Sequence, residues 1–506
     1  MGNSDAEIEL KFDADEGFEL PDLADLPGVA QVPPAEVHDL EAVYYDTADY
    51  RLAVNRHTLR RRTGGHDAGW HLKRPRSGGF RSELQEPLGE PGTVPEALRR
   101  LVEVHTRGRD LVPAVHLSTR RTATELRDSS GAVLAEIAQD DVTAELPDVD
   151  GRDGEVKRWS EVEAELVGGD LALLEAVRAR LVAAGARLSD APSKLGRALG
   201  DRVPAAAAPQ VAADSAGEAL LTYLRDRVDD LVAHDPLVRV DAPDAVHQMR
   251  VSCRRLRTVL AAFRPVVEAG ESDPGENEPL RAELQWLGEV LGAARDSEVV
   301  RDRLLASVAA QPPELVLGPV QSFLTETFST RYRAAHDTAL ETLGSPRYFA
   351  LLDSLDALVS TPPRGPRAGE PATEVLRKQL RRTYRRIKRH VDEARAAEGE
   401  HRGELFHEVR KSAKRARYAG DAAAEALGDQ AEDYAKAMKA VQEVLGDYQD
   451  GVVARQELRA LAVAAHLDGQ NAFTYGRLHA LEQVAGERAL EKFDGAWRQA
   501  KRSRVK

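Results

Sequence analysis

In Glu7-Ile8-Glu9-Leu10-Lys11, near the N-terminus, charged and apolar residues alternate. An extended backbone sends successive side chains to opposite faces, so Glu7, Glu9 and Lys11 share one face and Ile8 and Leu10 the other. The alternation runs over Ala6–Phe12 and returns at Thr58–Arg62, Gly69–Arg74, Val133–Ala138 and Ser160–Leu166, in segments bounded by Gly, Pro and Asp. That is the pattern of β-strands. Helical spacing interrupts it near Val94–Val104 and Leu171–Ala184. Each strand carries one charged face: Arg60 with Arg62, His71 with Lys73, Glu136 with Asp140, and Glu161 with Glu163 and Glu165. One wet face is ordinary for an antiparallel sheet. Several such faces, dense in both signs, point to a closed sheet with the charge turned inward. Its lumen would be lined by carboxylates and Lys/Arg, which suits metal-assisted phosphoryl transfer. Carboxylates hold hard Mg²⁺ or Mn²⁺, Arg and Lys neutralise phosphate oxygens, and a metal-held water can attack a terminal phosphorus.

The wider chain sets bounds on this expectation. Its 506 residues allow two to four domains, and 42% hydrophobic with 30% charged residues is an ordinary folded composition. A single cysteine, Cys253, excludes an intramolecular disulfide framework and any Cys-based zinc cluster. No apolar run approaches the ~18 residues of a membrane helix, and Met1-Gly-Asn-Ser-Asp5 has no basic region leading into an apolar stretch. The expectation is a cytoplasmic protein with no membrane partner. The net charge of −14 falls mostly on the first two hundred residues, which argues against a nucleic-acid coat protein.

At Val203-Pro-Ala-Ala-Ala-Ala-Pro-Gln-Val-Ala-Ala-Asp214 the pattern changes. This Ala/Pro stretch has the composition of a linker, dividing residues 1–202 from an Ala/Leu/Arg/Glu-rich half with helical periodicity over about 215–500. That half contains a repeat. His247-Gln-Met-Arg250-Val-Ser-Cys-Arg254-Arg255-Leu-Arg257 returns as His407-Glu-Val-Arg410-Lys-Ser-Ala-Lys414-Arg415-Ala-Arg417, and Glu289-Val-Leu-Gly292 with Asp296 returns as Glu443-Val-Leu-Gly446 with Asp450. Two copies of one helical hairpin, about 215–363 and 374–500, are expected to pack as a pseudo-symmetric all-α bundle. His247, Arg250, Arg254 and Arg257 make one helical stripe beside an apolar stripe of Val246, Met249, Cys253, Leu256 and Leu260. His407, Arg410, Lys414 and Arg417 repeat the basic stripe, with Lys411 and Arg415 at its flanks. Two such stripes facing one groove would hold a long polyanion. A third basic run, Arg377–Arg389, circles its helix, so that part of it extends the patch. Single-strand nucleic-acid binders interleave cations with aromatic platforms, and only Tyr384 and Tyr418 lie near these runs. Inorganic polyphosphate fits better than nucleic acid.

The first 200 residues resemble the CYTH superfamily, the triphosphate tunnel metalloenzymes. Glu7-x-Glu9-x-Lys11 is similar to its ExExK signature. The likeness continues in order through Tyr44-Tyr-Asp-Thr47, Leu59-Arg-Arg-Arg62, Leu72-Lys73, Arg121-Thr-Ala-Thr-Glu-Leu126, Glu136-Ile-Ala-Gln-Asp140, Glu161-x-Glu163-x-Glu165 and Ser193-Lys-Leu-Gly-Arg197. The resemblance implies an eight-stranded antiparallel tunnel with flanking helices, in an α+β multidomain chain, that hydrolyses or cyclises triphosphates with a divalent metal. It implies Glu7, Glu9, Glu161 and Glu163 as metal residues, joined by Glu136, Asp140 and Glu165. Lys11, Arg60, Arg62, Lys73, Arg121 and Lys194 would grip the phosphates, and Glu7, Glu9, Lys11 and Lys194 would serve catalysis. Glu83 fits a further acidic position, whereas Gln85 stands where many relatives carry Glu. Arg61 and Arg120 have the opposite parity and are expected in solvent, and His57, His66 and His71 at the surface or in supporting places.

The helical half resembles CHAD, a domain often fused behind CYTH and associated with polyphosphate and phosphate granules. The resemblance places His247, Arg250, Arg254, Arg257, His407, Arg410, Lys411, Lys414 and Arg417 in a polyphosphate-binding channel. Asp296 and Asp450 are expected to anchor or cap the hairpins. Together these point to Mg²⁺- or Mn²⁺-dependent hydrolysis of inorganic triphosphate or short polyphosphate in the tunnel, with polyphosphate held by the helices. Thiamine triphosphate, nucleoside triphosphates and adenylyl cyclisation are alternative uses of the same tunnel. A non-catalytic protein targeted to polyphosphate granules is the alternative outside enzymology.

Overall fold

A computed structural model describes residues 8–65, 67–75, 81–148, 154–191, 193–204, 209–269 and 277–505. The chain separates into two compact units, Met1–Ala206 and Ala207–Lys506.

The first unit is one antiparallel sheet with helices on its outside. Its strands are β1 (Ile8–Ala14), β2 (Glu36–Asp46), β3 (Thr58–Thr63), β4 (Gly69–Pro75), β5 (Arg81–Glu86), β6 (Val112–Arg127), β7 (Val133–Leu146), β8 (Glu155–Leu166) and β9 (Arg187–Leu188). The helices are α1 (Arg51–Val54), α2 (Glu96–Thr106), α3 (Leu171–Ala183) and α4 (Lys194–Leu199). The strand order is β5-β4-β3-β2-β6-β7-β8-β1-β9. The expected eight-stranded closed tunnel is therefore corrected: the sheet has nine strands, and among the described residues no ladder joins its two edges. The register shows why. Closure would need β5 against β1, but the outer edge of β1 is taken by β9, through Phe12↔Leu188 and Asp13↔Arg187.

Alternation decides what each face does. On β7, Ala135 and Ile137 point outward and pack with Phe12, Val162 and Ala164 beneath Leu173, Val177 and Leu181 of α3. Each Val, Leu, Ile or Phe side chain buried there is worth about 1.5–3 kcal/mol. The inward set of the same strand begins Glu136, Ala138, Asp140 and ends Val142, Ala144. Those last two, with Leu117, carry Leu195, Ala198 and Leu199 of α4. A polar lumen thus ends on an apolar floor. Elsewhere α1 and α2 cover β2–β4 through Leu52, Leu59, Trp70, Leu98 and Val102.

The second unit is all-helical among the described residues. It comprises α5 (Ala216–Arg239), α6 (Ala245–Ala262), α7 (Arg264–Val267), α8 (Glu278–Ala309), α9 (Val320–Leu343), α10 (Pro346–Ser360), α11 (Ala372–Ala396), α12 (Gly399–Leu427), α13 (Asp429–Leu467) and α14 (Phe473–Arg502). Val246, Met249, Cys253, Leu256 and Leu260 of α6 are buried, as the apolar stripe requires. The two repeats lock together reciprocally at their first helices. Ala216 N donates to Glu370 O at 2.8 Å, and Ala372 N donates to Asp214 O at 3.0 Å. No helix among the described residues is long and apolar enough to cross a membrane.

Candidate functional sites

The inward faces of β1 to β8 surround a cavity of about 540 Å³. Glu9, Lys11, Arg60, Arg62, Lys73, Arg121, Glu136, Glu163, Glu165 and Lys194 all line it. Glu7 lies outside the described residues. Asp140 and Glu161 sit behind the lining and are buried.

Cross-strand register builds the charge pattern in rows. Glu9 faces Glu165, Glu165 faces Glu136, and Glu136 faces Glu125, giving four glutamates side by side on adjacent strands. One step deeper, Lys11 faces Glu163. Deeper still, Glu161 faces Asp140 and Asp140 faces Arg121. Into this last level comes Lys194. Ser193 caps α4 by accepting from Gly196 N at 3.0 Å, which sets Lys194 in the first turn. A cation is disfavoured there by the helix dipole, and three carboxylates offset it. Lys194 Nζ lies 2.6 Å from Glu161 Oε1, 2.8 Å from Glu163 Oε1 and 3.0 Å from Asp140 Oδ2. Arg121 donates to both oxygens of Asp140, at 2.8 and 2.6 Å, and to Glu163 at 2.8 Å. Lys11 Nζ stands 3.4 Å from Glu163 and 3.1 Å from Glu9.

The proton affinities follow from this packing. Burial would raise Glu163, but Lys194, Lys11 and Arg121 hold it far below the usual carboxylate range. Burial would likewise strip Lys194 and Arg121 of their protons. Glu163, Asp140 and Glu161 hold Lys194 above its ordinary value, and Asp140 and Glu163 do so for Arg121. On the opposite wall Glu83 is held at about 2 against its burial, by His71, Lys73 and Arg60. His71 is buried, with Nδ1 2.8 Å from Glu83 and Nε2 2.8 Å from the Asp67 carbonyl. It is a supporting residue. His57, in contrast, is buried away from the cavity, its ring tilted against that of His105 with centroids 4.4 Å apart, and His66 is outside the described residues. Of the two arginines expected in solvent, Arg120 is exposed, while Arg61 is half-buried and donates to the Leu88 carbonyl.

Asp140, Glu161 and Glu163 each offer an oxygen within 4.8 Å of the others. An all-carboxylate donor set fits a hard divalent cation, and Glu9 and Glu165 adjoin it. These are the residues that would hold such an ion.

Sequence parity missed several lining groups. Glu125 stands four residues after Arg121, hence on the same face, and that spacing could have found it. Tyr44, which the sequence offered only as part of a motif, also lines the cavity, and its hydroxyl accepts from Arg60 at 3.3 Å.

In the helical unit a second cavity, about 730 Å³, opens between α6, α8, α11 and α12. Arg250, Arg254, Arg257, His407, Arg410, Lys411 and Lys414 line it, together with Arg415, Arg281, Arg382 and Arg386. Ten Lys/Arg side chains thus meet one carboxylate, Glu408. His247 and Arg417 are not among the lining residues. Arg417 turns to Gln442 and Asp421, and His247 is half-buried beside Arg295. Arg254 donates to the buried Tyr418 hydroxyl at 2.9 Å, so Tyr418 orients a cation and offers no stacking face. Burial and the neighbouring Arg254, Arg410 and Arg250 bring Lys414 down to about 7. Arg410 and Arg415 are lowered too, chiefly by burial.

A curled sheet enclosing an acidic cluster and phosphate-type cations, followed by a duplicated helical bundle, defines a triphosphate-tunnel protein with a helical partner domain. Family models agree: a CYTH domain matches residues 5–193 and a CHAD domain residues 222–459. The uncharacterized protein Rv2226 of Mycobacterium tuberculosis is 38% identical over 509 residues, spanning 97% of this chain and 96% of its own length. The chain belongs to this CYTH–CHAD family. Among solved structures it is similar to PptA from Streptomyces chartreusis, with 23% identity, TM-score 0.47, and coverage of 56% of this chain and 99% of the other. The CHAD domain from the plant Ricinus communis gives 25% identity, TM-score 0.40, and coverage of 58% and 95%. CYTH domains are typically triphosphate-tunnel enzymes acting on phosphoanhydrides.

Proposed function

We propose that the sheet domain hydrolyses the terminal phosphoanhydride of inorganic triphosphate or short polyphosphate with Mg²⁺ or Mn²⁺, and that the helical domain binds polyphosphate. The observation that carries this reading is the pairing of two anion cavities of different charge. One mixes carboxylates with cations, and the other is almost purely cationic. In the first, Arg60, Arg62, Lys73 and Arg121 are placed to bind phosphate oxygens, and Lys11 and Lys194 to balance charge as the anhydride P–O bond breaks. Glu161, Glu163 and Asp140 hold Lys194 and Arg121 in position. A divalent cation on these carboxylates would supply Lewis acidity and an activated water. Water adds to the terminal phosphorus, and triphosphate leaves as pyrophosphate and orthophosphate. In the second cavity the lack of an open aromatic face among the described residues favours a phosphate chain over single-stranded nucleic acid. Retention at polyphosphate granules follows from this reading.

The test is phosphorus NMR of the full chain incubated with triphosphate and Mg²⁺, Mn²⁺ or EDTA. Metal-dependent orthophosphate is expected. Turnover of ATP to cyclic AMP and pyrophosphate, with triphosphate untouched, would replace the substrate. No turnover of either, with polyphosphate still retained, would leave a binding protein.

A further inference from the structure

Gly292 and Asp296 of α8, and Gly446 and Asp450 of α13, stand four residues apart, so each pair shares a helix face. Each pair meets the same arginine of the duplicated motif. A Cβ at Gly292 would lie 3.3 Å from Arg250 Cζ, and Asp296 Oδ1 accepts from Arg250 Nη1 at 2.8 Å. A Cβ at Gly446 would lie 3.5 Å from Arg410 Nε, and Asp450 is the carboxylate whose charge acts on Arg410. Both glycines are buried in helices, and neither has positive φ. Helix interiors disfavour glycine, and backbone freedom does not explain its recurrence at matched places. At Gly292 even a methyl would crowd the guanidinium, whereas at Gly446 a methyl would fit and only a longer side chain would take the guanidinium's place.

We propose that each Gly–Asp pair is a seat. The glycine lets a guanidinium lie flat on the helix and the aspartate fixes its rotation. Arg250 and Arg410, so held, are the two fixed contacts at which the helical cavity takes phosphates of a polyphosphate chain. This rests on the reading of that cavity as a polyphosphate site. A guanidinium carries five donors in a rigid fork, so a seated arginine still has edges to offer. The Nε of Arg410 is buried and has no acceptor among the described residues. Asp296 and Asp450 act through the arginines and are positioning residues.

The experiment is titration of the full chain with long-chain inorganic polyphosphate at fixed ionic strength, with a melting curve for each variant. Gly446→Ala stays at ordinary contact distance and keeps its affinity. Gly292→Ala pushes Arg250 by a few tenths of an ångström, weakening binding a few-fold. Gly292→Leu and Gly446→Leu fill the guanidinium's place and lower affinity roughly tenfold or more, the scale of one charge-assisted hydrogen bond. Alanine and leucine are better helix formers than glycine, so an unchanged melting curve assigns the loss to the seat. A double mutant guards against misfolding: in an Arg250→Lys background, Gly292→Leu costs little, because a flexible ammonium needs no flat seat. Wild-type affinity in both leucine variants, or an equal penalty in the lysine background, overturns the seats alone. Failure of the unmodified protein to bind polyphosphate overturns the cavity's reading, and the seats with it.

Discussion

In the sheet cavity Lys194 and Arg121 bind their protons more tightly than in water, whereas in the helical cavity Lys414 and Arg410 bind theirs less tightly. Both pairs are substantially buried, so desolvation acts the same way on each. The difference is the neighbours. Three carboxylates surround Lys194, and three arginines crowd Lys414. A cavity of the first kind is already neutralised, and an anion entering it must displace carboxylates or arrive with a cation. Such a balance suits an anion that brings its own cation, which is what the proposed metal-dependent reaction requires. A cavity of the second kind stores like-charge repulsion in the folded state, which any dense polyanion relieves. The same residue types thus make a selective site and a general one, depending on which counter-charges the backbone brings along.

Glu163→Gln should break the comparison most sharply. It removes the acid shared by Lys194, Arg121 and Lys11, and triphosphate turnover is expected to fall roughly a hundredfold or more. Polyphosphate affinity of the full chain should stay as it was. An equal loss of both, measured on one preparation, would show that the two domains do not act as separate sites.

The next effect is on stability. Lys194→Met leaves Asp140, Glu161 and Glu163 without their shared ammonium, and breaking a buried ion cluster from one side costs about 3–5 kcal/mol. Calorimetry should show the sheet unit melting earlier. Added Mg²⁺ or Mn²⁺ should restore more of the lost stability than it adds to the wild type, since a cation would then be the carboxylates' main counter-charge. Equal metal effects on both proteins would place the ion elsewhere in the lumen.

How much of this was legible beforehand differs between the two sites in the same physical way. Parity along single strands found the lining residues Glu9, Lys11, Arg60, Arg62, Lys73, Glu163 and Glu165, because a two-residue period needs no partner. It could not show that Asp140 and Glu161 lie behind the lining, since depth comes from register between strands and from where α4 lands. Nor could it show that β9 takes the edge that closure would need. On the helices the repeated stripe located the cavity, but its outer members depend on neighbours. Arg257 lines the cavity and Arg417 does not. Four residues on, Arg257 has Ala261 and Arg417 has Asp421, an i,i+4 partner visible in the sequence. The run Arg377–Arg389 was expected to extend the patch in part, and Arg382 and Arg386 do. Which of its cations face inward, and that Arg281 joins them, was beyond reach, because the packing of α8 and α11 around α12 decides it.

The smallest effect probes the stored repulsion itself. Lys414 titrates near 7 in the free protein, and a bound polyanion would raise that value toward the ordinary one. Binding then draws in a proton above neutrality, and affinity should fall by about tenfold from about pH 6 to pH 8.5. The other cations facing Lys414 are Arg250, Arg254 and Arg410, and arginine as a residue type adds no pH dependence in that window. His407 is depressed below its ordinary value by burial and by Lys411 and Arg410, so it contributes little above neutrality. The sign for folding is opposite. A lysine whose folded value is depressed binds fewer protons folded than unfolded, so the free helical domain gains stability as pH rises from about 7 toward 10. Lys414→Arg keeps the charge and should flatten the affinity profile, while Lys414→Gln should flatten it at lower affinity. If the wild type were as flat as Lys414→Arg, Lys414 would keep its proton throughout, and the contrast between the two cavities would lose its clearest marker.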